Sequence, residues 1–325
     1  MAVATALLLA ALAAAGCGLG AGADVGDVQL TVTREFGAVP VLDRSLAARE
    51  SDSVMRLLEG EADVETRYGG GFVHAIDGVA EEQRGGDPYD WFFYVDGVEA
   101  QIGAAEYQLK GGERVWWDYR NWRATNHVPA VVGSWPAPFA DETGGRGNPV
   151  VVECAEPSRG SFVRDGRTKE PQVCAATRQA LESEGVEVAS GSPEKAIRVM
   201  VGTWDRLRSD PTARLIEDGP AESGVYADFQ VGVRPLSSIG RQRTNAGVEL
   251  VGLDEAGEPA PTFAPDTGLI AATSRYGGPP VWVVTGATPA AVREAAEALD
   301  AEHLRDHYAV AIENGKSTPL PLEGR

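Results

Sequence analysis

Positive charge is what this chain most lacks. Its 29 Lys and Arg stand against 48 Asp and Glu, a net charge of −19 spread over 325 residues. That balance excludes counterion-release binding to nucleic acid and adsorption on anionic lipid head groups. Lysine is scarcest, confined to Lys110, Lys169, Lys195 and Lys316; the bias toward Arg fits a GC-rich genome and carries no functional meaning.

Histidine is scarce too, at 4 residues. His303 and His307 stand four apart at a helix end, but Asp306 does not replace the Glu of a zinc helix and no third ligand is evident. Cations near the negative end of a helix dipole explain them. His74 and His127 have no recognisable partner, so no metal site is expected. Gly-x-Ser-x-Gly, the Walker loop, the EF-hand loop and His-Glu-x-x-His are all missing. With 48 carboxylates, facing pairs arise by chance and do not identify a glycosidase. No catalytic residue, cofactor or enzyme activity is expected.

A run long enough to span a bilayer is also missing. Residues 1–16 are uncharged and rich in Ala and Leu, which matches the apolar part of a secretory signal and falls short of the ~20 residues of a spanning helix. Leu12-Ala13-Ala14-Ala15-Gly16-Cys17 resembles the bacterial lipobox, which implies a lipid-modified Cys17, membrane attachment through that anchor and a place on the outer face of the cytoplasmic membrane. Ala21-Gly22-Ala23 offers an ordinary cleavage site, and with it plain secretion. Of three cysteines, Cys154 and Cys174 remain, and in an exported chain an even pair is read as a disulfide, the other reading being two buried thiols.

Aromatic residues, by contrast, are concentrated. Residues 68–122 hold 12 of 23 aromatics and four of seven tryptophans. In 115–122, strand alternation sends Val115, Trp117 and Tyr119 to one face and Trp116, Asp118, Arg120 and Trp122 to the other. A sheet of this size buries one face in its own core, so the second face meets a ligand, the rest of the chain or a partner. Asp87, Asp90, Asp96 and Asp118 sit among these aromatics. Turn chemistry explains Asp96 and Asp87-Pro88.

Length suggests about two domains. The expected fold class is α+β, with a small β-rich, β-grasp-like domain carrying one helix, followed by an α/β or α+β sandwich domain. After a signal at 1–16 and a Gly-rich tether at 17–26, the β domain spans 27–122. It has a strand at 28–33, a helix at 51–59 capped by Ser51 or Ser53, and turns at Asp77-Gly78 and Asp96-Gly97. A Pro- and Gly-rich connection covers 123–149, part of it packed through Val131, Val132, Trp135 and Phe139. The second domain covers 150–315, with strands at 150–154, 196–201 and 281–285 and helices opened by Pro171 and by Thr288-Pro289. Residues 316–325 read as a tail.

Four stretches resemble a known family: Tyr68-Gly69-Gly70-Gly71-Phe72-Val73-His74-Ala75-Ile76-Asp77-Gly78-Val79, then Trp91-Phe92-Phe93-Tyr94-Val95-Asp96-Gly97-Val98-Glu99-Ala100, then Ile102-Gly103-Ala104, then Tyr107-Gln108-Leu109-Lys110-Gly111-Gly112-Glu113-Arg114-Val115. They look like the carboxy-terminal β domain of transcobalamin and intrinsic factor, relatives of which occur as domains of unknown function on exported bacterial lipoproteins. The resemblance covers residues 28–120. It implies a ligand-facing role for Tyr68, Gly70, Phe72, Trp91, Phe92, Tyr94, Trp116 and Trp117, to which strand alternation adds Arg120 and Trp122. It also implies cobalamin or a related corrinoid as ligand. The carriers' helical barrel has no counterpart here, so the second domain or an envelope transporter would supply the other wall. The function expected is an extracytoplasmic small-molecule binding protein for uptake; an envelope protein–protein interaction module with no small ligand is the alternative.

Overall fold

The computed structural model describes residues 22–139, 148–155, 170–191, 193–231 and 247–323. The expected leader, the candidate lipidation site Cys17 and half of the expected tether lie outside them.

The fold class is α+β, as expected. The first half is built from β1 (Asp24–Arg34), β2 (Val39–Arg49), α1 (Val54–Glu59), β3 (Val64–Arg67), β4 (Phe72–Ile76), β5 (Val79–Ala80), β6 (Glu82–Arg84), β7 (Asp87–Val95), β8 (Val98–Glu99) and β9 (Arg114–Asn121). The main sheet has the order β2-β1-β9-β7-β6, with β8 on β7. β1 and β9 run parallel at its centre, the arrangement that makes a β-grasp. Ser53 caps α1 by accepting from the Arg56 N–H, and Val54, Met55, Leu57 and Leu58 turn inward. They meet Val28, Leu30, Val32, Val115, Trp117 and Tyr119 in one apolar core. β3, β4 and β5 form a separate small sheet. Asp77, Gly78, Asp96 and Gly97 all have positive φ, as the turns read from the sequence require. β1 starts at Asp24, inside the stretch expected as tether.

The second half centres on the sheet β10-β11-β16-β15-β17-β18. Its strands are β10 (Val150–Cys154), β11 (Ile197–Thr203), β15 (Gly268–Thr273), β16 (Val281–Gly286), β17 (Ala309–Glu313) and β18 (Lys316–Leu320). β12 (Ala227–Val231), β13 (Val248–Leu253) and β14 (Pro259–Thr262) make a third sheet. Two longer helices, at Gln172–Ser183 and Pro289–Glu297, cover one face of the main sheet with Cys174, Leu181, Val292 and Ala295. The second of them is capped by Thr288, as its sequence signal requires. Trp135 and Phe139 of the connection pack on Trp282 in the same core, with ring centroids 6.0 and 4.8 Å away.

One expected element is corrected. Residues 316–320, the start of the expected tail, form a strand, because Asn314 and Gly315 both adopt positive φ and fold β18 back along β17 as a hairpin.

Cys154 and Cys174 are disulfide-bonded across a Cα–Cα distance of 5.8 Å, joining β10 to the helix that covers it. With 20 positions between the cysteines, loop entropy assigns the bond about 3 kcal/mol. Replacing both by Ser lowers the urea unfolding free energy by about that amount and leaves the secondary structure intact. Gly37, with φ +87°, marks the closest approach of the halves, since a Cβ there would stand 1.7 Å from the Asp306 carbonyl oxygen. Gly37→Ala therefore costs about 3 kcal/mol or more in the same measurement, because the new Cβ meets the Asp306 backbone, which no side-chain rotation can move aside.

Candidate functional site

The two faces of the aromatic strands separate as alternation requires. Trp91, Trp117 and Tyr119 point into the β-grasp core, where Trp117 stacks on Phe93 at 4.8 Å and the Trp91 Nε1–H donates to the Val79 carbonyl. Tyr94 and Trp116 point the other way and join Phe36, Leu269, Ala271, Val283, Ala309 and Tyr308 in a core shared with the second half. This overturns the ligand-facing assignment of Trp91, Tyr94, Trp116, Trp117 and Arg120, all of which are buried. The second half of the chain covers the second face. Phe92 is half-buried beneath the Arg120 guanidinium, 3.8 Å from its ring centroid.

A polar network lies inside this shared core. Asp118 is fully buried and accepts from Thr33 Oγ1 at 2.6 Å, from the Gly37 N–H at 3.1 Å and from the Tyr308 hydroxyl at 3.1 Å. Trp116 Nε1–H donates to Thr33 Oγ1, and the Tyr94 hydroxyl donates to that of Tyr308. Donors from both halves thus run toward one carboxylate. Arg120, two positions on, donates to the Thr125 carbonyl at 2.9 Å, while its Nε and Nη2 have no protein partner among the described residues. Burial pushes the Asp118 carboxyl up to about 6, although its three donors and Arg120 favour the ionised form. Desolvation wins.

The corner at residues 305–308 carries the rest of the junction. Arg305 pairs with Asp43, and Asp306 with Arg114 at 2.5 Å. The Asp306 N–H reaches the Gly133 carbonyl and the Val132 N–H reaches that of Tyr308. Nothing in the pattern around His303 and His307 signals that Tyr308 is its centre. His303 instead sits against Asp300, and His307 is largely buried, which lowers its pKa.

The candidate residues that solvent reaches lie elsewhere. Tyr68 is 87% exposed, Phe72 38% and Trp122 37%. Tyr68 and Phe72 meet edge to face at 6.1 Å, joined through Gly69, Gly70 and Gly71. Ile102, 49% exposed, lies in the neighbouring loop, where a Cβ on Gly103 would stand 3.4 Å from the Gly71 carbonyl oxygen. Tyr68 has φ +55°, an unfavourable backbone state for a bulky side chain. Tyr68 and Phe72 form an apolar tip at the β3-β4 end of the small sheet. Ile102 was not among the expected contacts, although Ile102-Gly103-Ala104 is one of the stretches that carry the family resemblance. Trp122 stands beside Pro88, whose carbonyl accepts from its N–H. A cleft of about 250 Å³ between the halves, lined by Val98, Pro138, Ile197 and Pro280, has Lys195 as its one titratable side chain. Among the described residues no group of three His, Cys, Asp or Glu side chains could hold a metal ion.

Residues 51–121 match a family described as a domain of unknown function, DUF4430. No curated protein matches the chain. Among solved structures, a candidate metal-binding protein from Ruminococcus gnavus is similar over 30% of this chain and 97% of its own, at 15% identity and a TM-score of 0.24.

The sign of the Asp118 effect is fixed by its direction. Its carboxyl, ordinarily near 3.8, is raised to about 6 in the folded chain, so the folded state binds the proton more tightly. The stability gained from that proton is complete below pH 4, falls as pH rises to about 6, and is gone above it. Asp118→Asn removes this dependence. The difference in unfolding free energy between wild type and variant should therefore shift by about 3 kcal/mol between pH 4 and 7 in favour of the variant, and a constant difference would refute the account.

Proposed function

We propose that this chain is an extracytoplasmic, lipid-anchored binding protein without chemistry of its own, whose working surface is the tip formed by Tyr68, Gly70 and Phe72, with Ile102 in the neighbouring loop. The observation that carries this reading is Tyr68, a large aromatic that is 87% exposed and held at positive φ. Solvent does not reward either property, and a strained, exposed aromatic persists where a binding surface needs it. The tip is an exposed patch, whereas small ligands are held in concave sites. An envelope protein is therefore the partner this geometry favours, with the tip acting as an interaction module tethered at Cys17.

Capture of a corrinoid is the second reading, supported by the resemblance of Tyr68 to Val73 to the transcobalamin β domain. In that case the tip supplies one stacking surface and a transporter component the other.

A photo-crosslinking amino acid at position 68, introduced into the full chain in cells, tests the first reading. It should trap one envelope protein, and the adduct should vanish with Phe72→Ala. Absence of any discrete adduct, together with saturable cobinamide binding that Tyr68→Ala abolishes, would transfer support to the second. No cobinamide binding at tens of micromolar, weaker than about −6 kcal/mol, removes the corrinoid. Tyr68→Gly separates function from fold, since it relieves the positive-φ cost of about 1 kcal/mol. Its melting temperature should equal or exceed that of wild type while partner capture is lost.

A further inference from the structure

β2 is an 11-residue strand at the rim of the main sheet, paired only with β1 among the described residues. Such an edge presents a row of unpaired N–H and C=O groups to any strand that approaches. Its start is guarded by Pro40, which lacks an N–H, and by the register shift between Val32 and Thr33 that leaves Val41 unpaired. From residue 42 to residue 48 there is neither proline nor irregularity, and the pairing with β1 is continuous. Opposite neighbours place Leu42, Arg44 and Leu46 on the face of Val32, Leu30 and Val28, the core face of the sheet. Leu42 and Leu46 are only half-buried there, and Arg44 is exposed between them. The guanidinium reaches just the Asp43 carbonyl, with no carboxylate partner among the described residues. In a chain with 48 acidic residues, an unpaired cation flanked by two unfinished leucine contacts is a local exception in both charge and polarity.

We propose that residues 42–48 take an extended segment of another protein as an added strand, and that this segment carries an acidic side chain between two apolar ones, at alternate positions. Main-chain hydrogen bonds from alternate residues of the edge supply the attraction common to any strand. Leu42 and Leu46 cover the two apolar side chains, and Arg44 selects the acidic one. A second copy of β2 does not fit. Antiparallel pairing that matches Leu42 with Leu46 sets Arg44 against Arg44, and like charges directly opposite destabilise a sheet. A net charge of −19 on each copy adds long-range repulsion.

Two nonapeptides, each alternating Val and Thr and differing only in a central Glu or Lys, test this against the full chain by fluorescence anisotropy, with amide chemical shifts locating the site. The Glu peptide should bind at β2 roughly tenfold more tightly than the Lys peptide. Arg44→Glu should reverse that order, Arg44→Gln should abolish the preference, and Leu46→Lys should weaken both, with melting temperatures unchanged in the two Arg44 variants because that side chain is exposed on the rim. Equal affinity for the two peptides, an unreversed order in Arg44→Glu, or no binding at millimolar concentration overturns the proposal. A dimer in sedimentation that Leu46→Lys dissolves would give the edge to a second copy and also overturn it.

Discussion

The molecule is organised around one buried carboxylate. Asp118 sits on the central strand of the β-grasp sheet, yet one of its hydrogen-bond donors, Tyr308, belongs to the other half of the chain. A buried ion of this kind adds little net stability over an apolar pair of the same shape, because desolvation offsets the attraction. What it supplies is position. Thr33, Gly37 and Tyr308 can all satisfy Asp118 only in one mutual placement of the halves, and Trp116 and Tyr94 are tied to the same arrangement through Thr33 and Tyr308. Gly37 and Gly133 then let the corner at 305–308 approach closer than any side chain would permit.

That constraint decides which surfaces remain for binding. A β-grasp sheet covered by a single short helix has one apolar face left over. Here Leu269, Ala271, Val283 and Ala309 close it. Each buried aromatic there removes on the order of 200 Å² from water, about 5 kcal/mol of transfer free energy, so an opening that offered Tyr94 and Trp116 to a ligand would forfeit far more than a small ligand could return. The accessible binding elements are consequently those that the second half leaves uncovered, at the rim of the main sheet and on the small β3-β4-β5 sheet.

Much of this architecture was legible in the sequence. Period-two alternation assigned Trp117 and Tyr119 to one face and Trp116, Asp118 and Arg120 to the other, because side-chain direction in a strand is a local property. The Thr288-Pro289 start, the Asp-Gly turns and the Cys154–Cys174 pair were equally local. What covers the second face is not local, and alternation is the same whether the neighbour is a ligand or the chain itself; hence the misassigned Trp91, Tyr94, Trp116, Trp117 and Arg120. β2 left no clear trace either. Pro40, Asp43, Arg44 and two alanines interrupt any alternation, and the strand exists because β1 offers it a partner along 11 residues. β18 carries Pro319, which suits an edge and hides a strand from propensity, although Asn314-Gly315 is a hairpin signal that length alone should have made audible.

The tip and the edge differ in what they could recognise, and the difference follows from how each is built. The tip offers Tyr68 and Phe72 on a glycine-linked turn, with Ile102 in the neighbouring loop, so its contacts are apolar and tolerant of partner chemistry. The β2 edge offers directional main-chain groups and a single unpaired guanidinium, so it discriminates by strand register and charge. A chain of net charge −19 repels most acidic partners at long range, and Arg44 acts only at contact. An acidic segment bound at that edge therefore gains from a second attachment that offsets the repulsion, and an exposed apolar tip on the same half of the molecule is a surface suited to provide it.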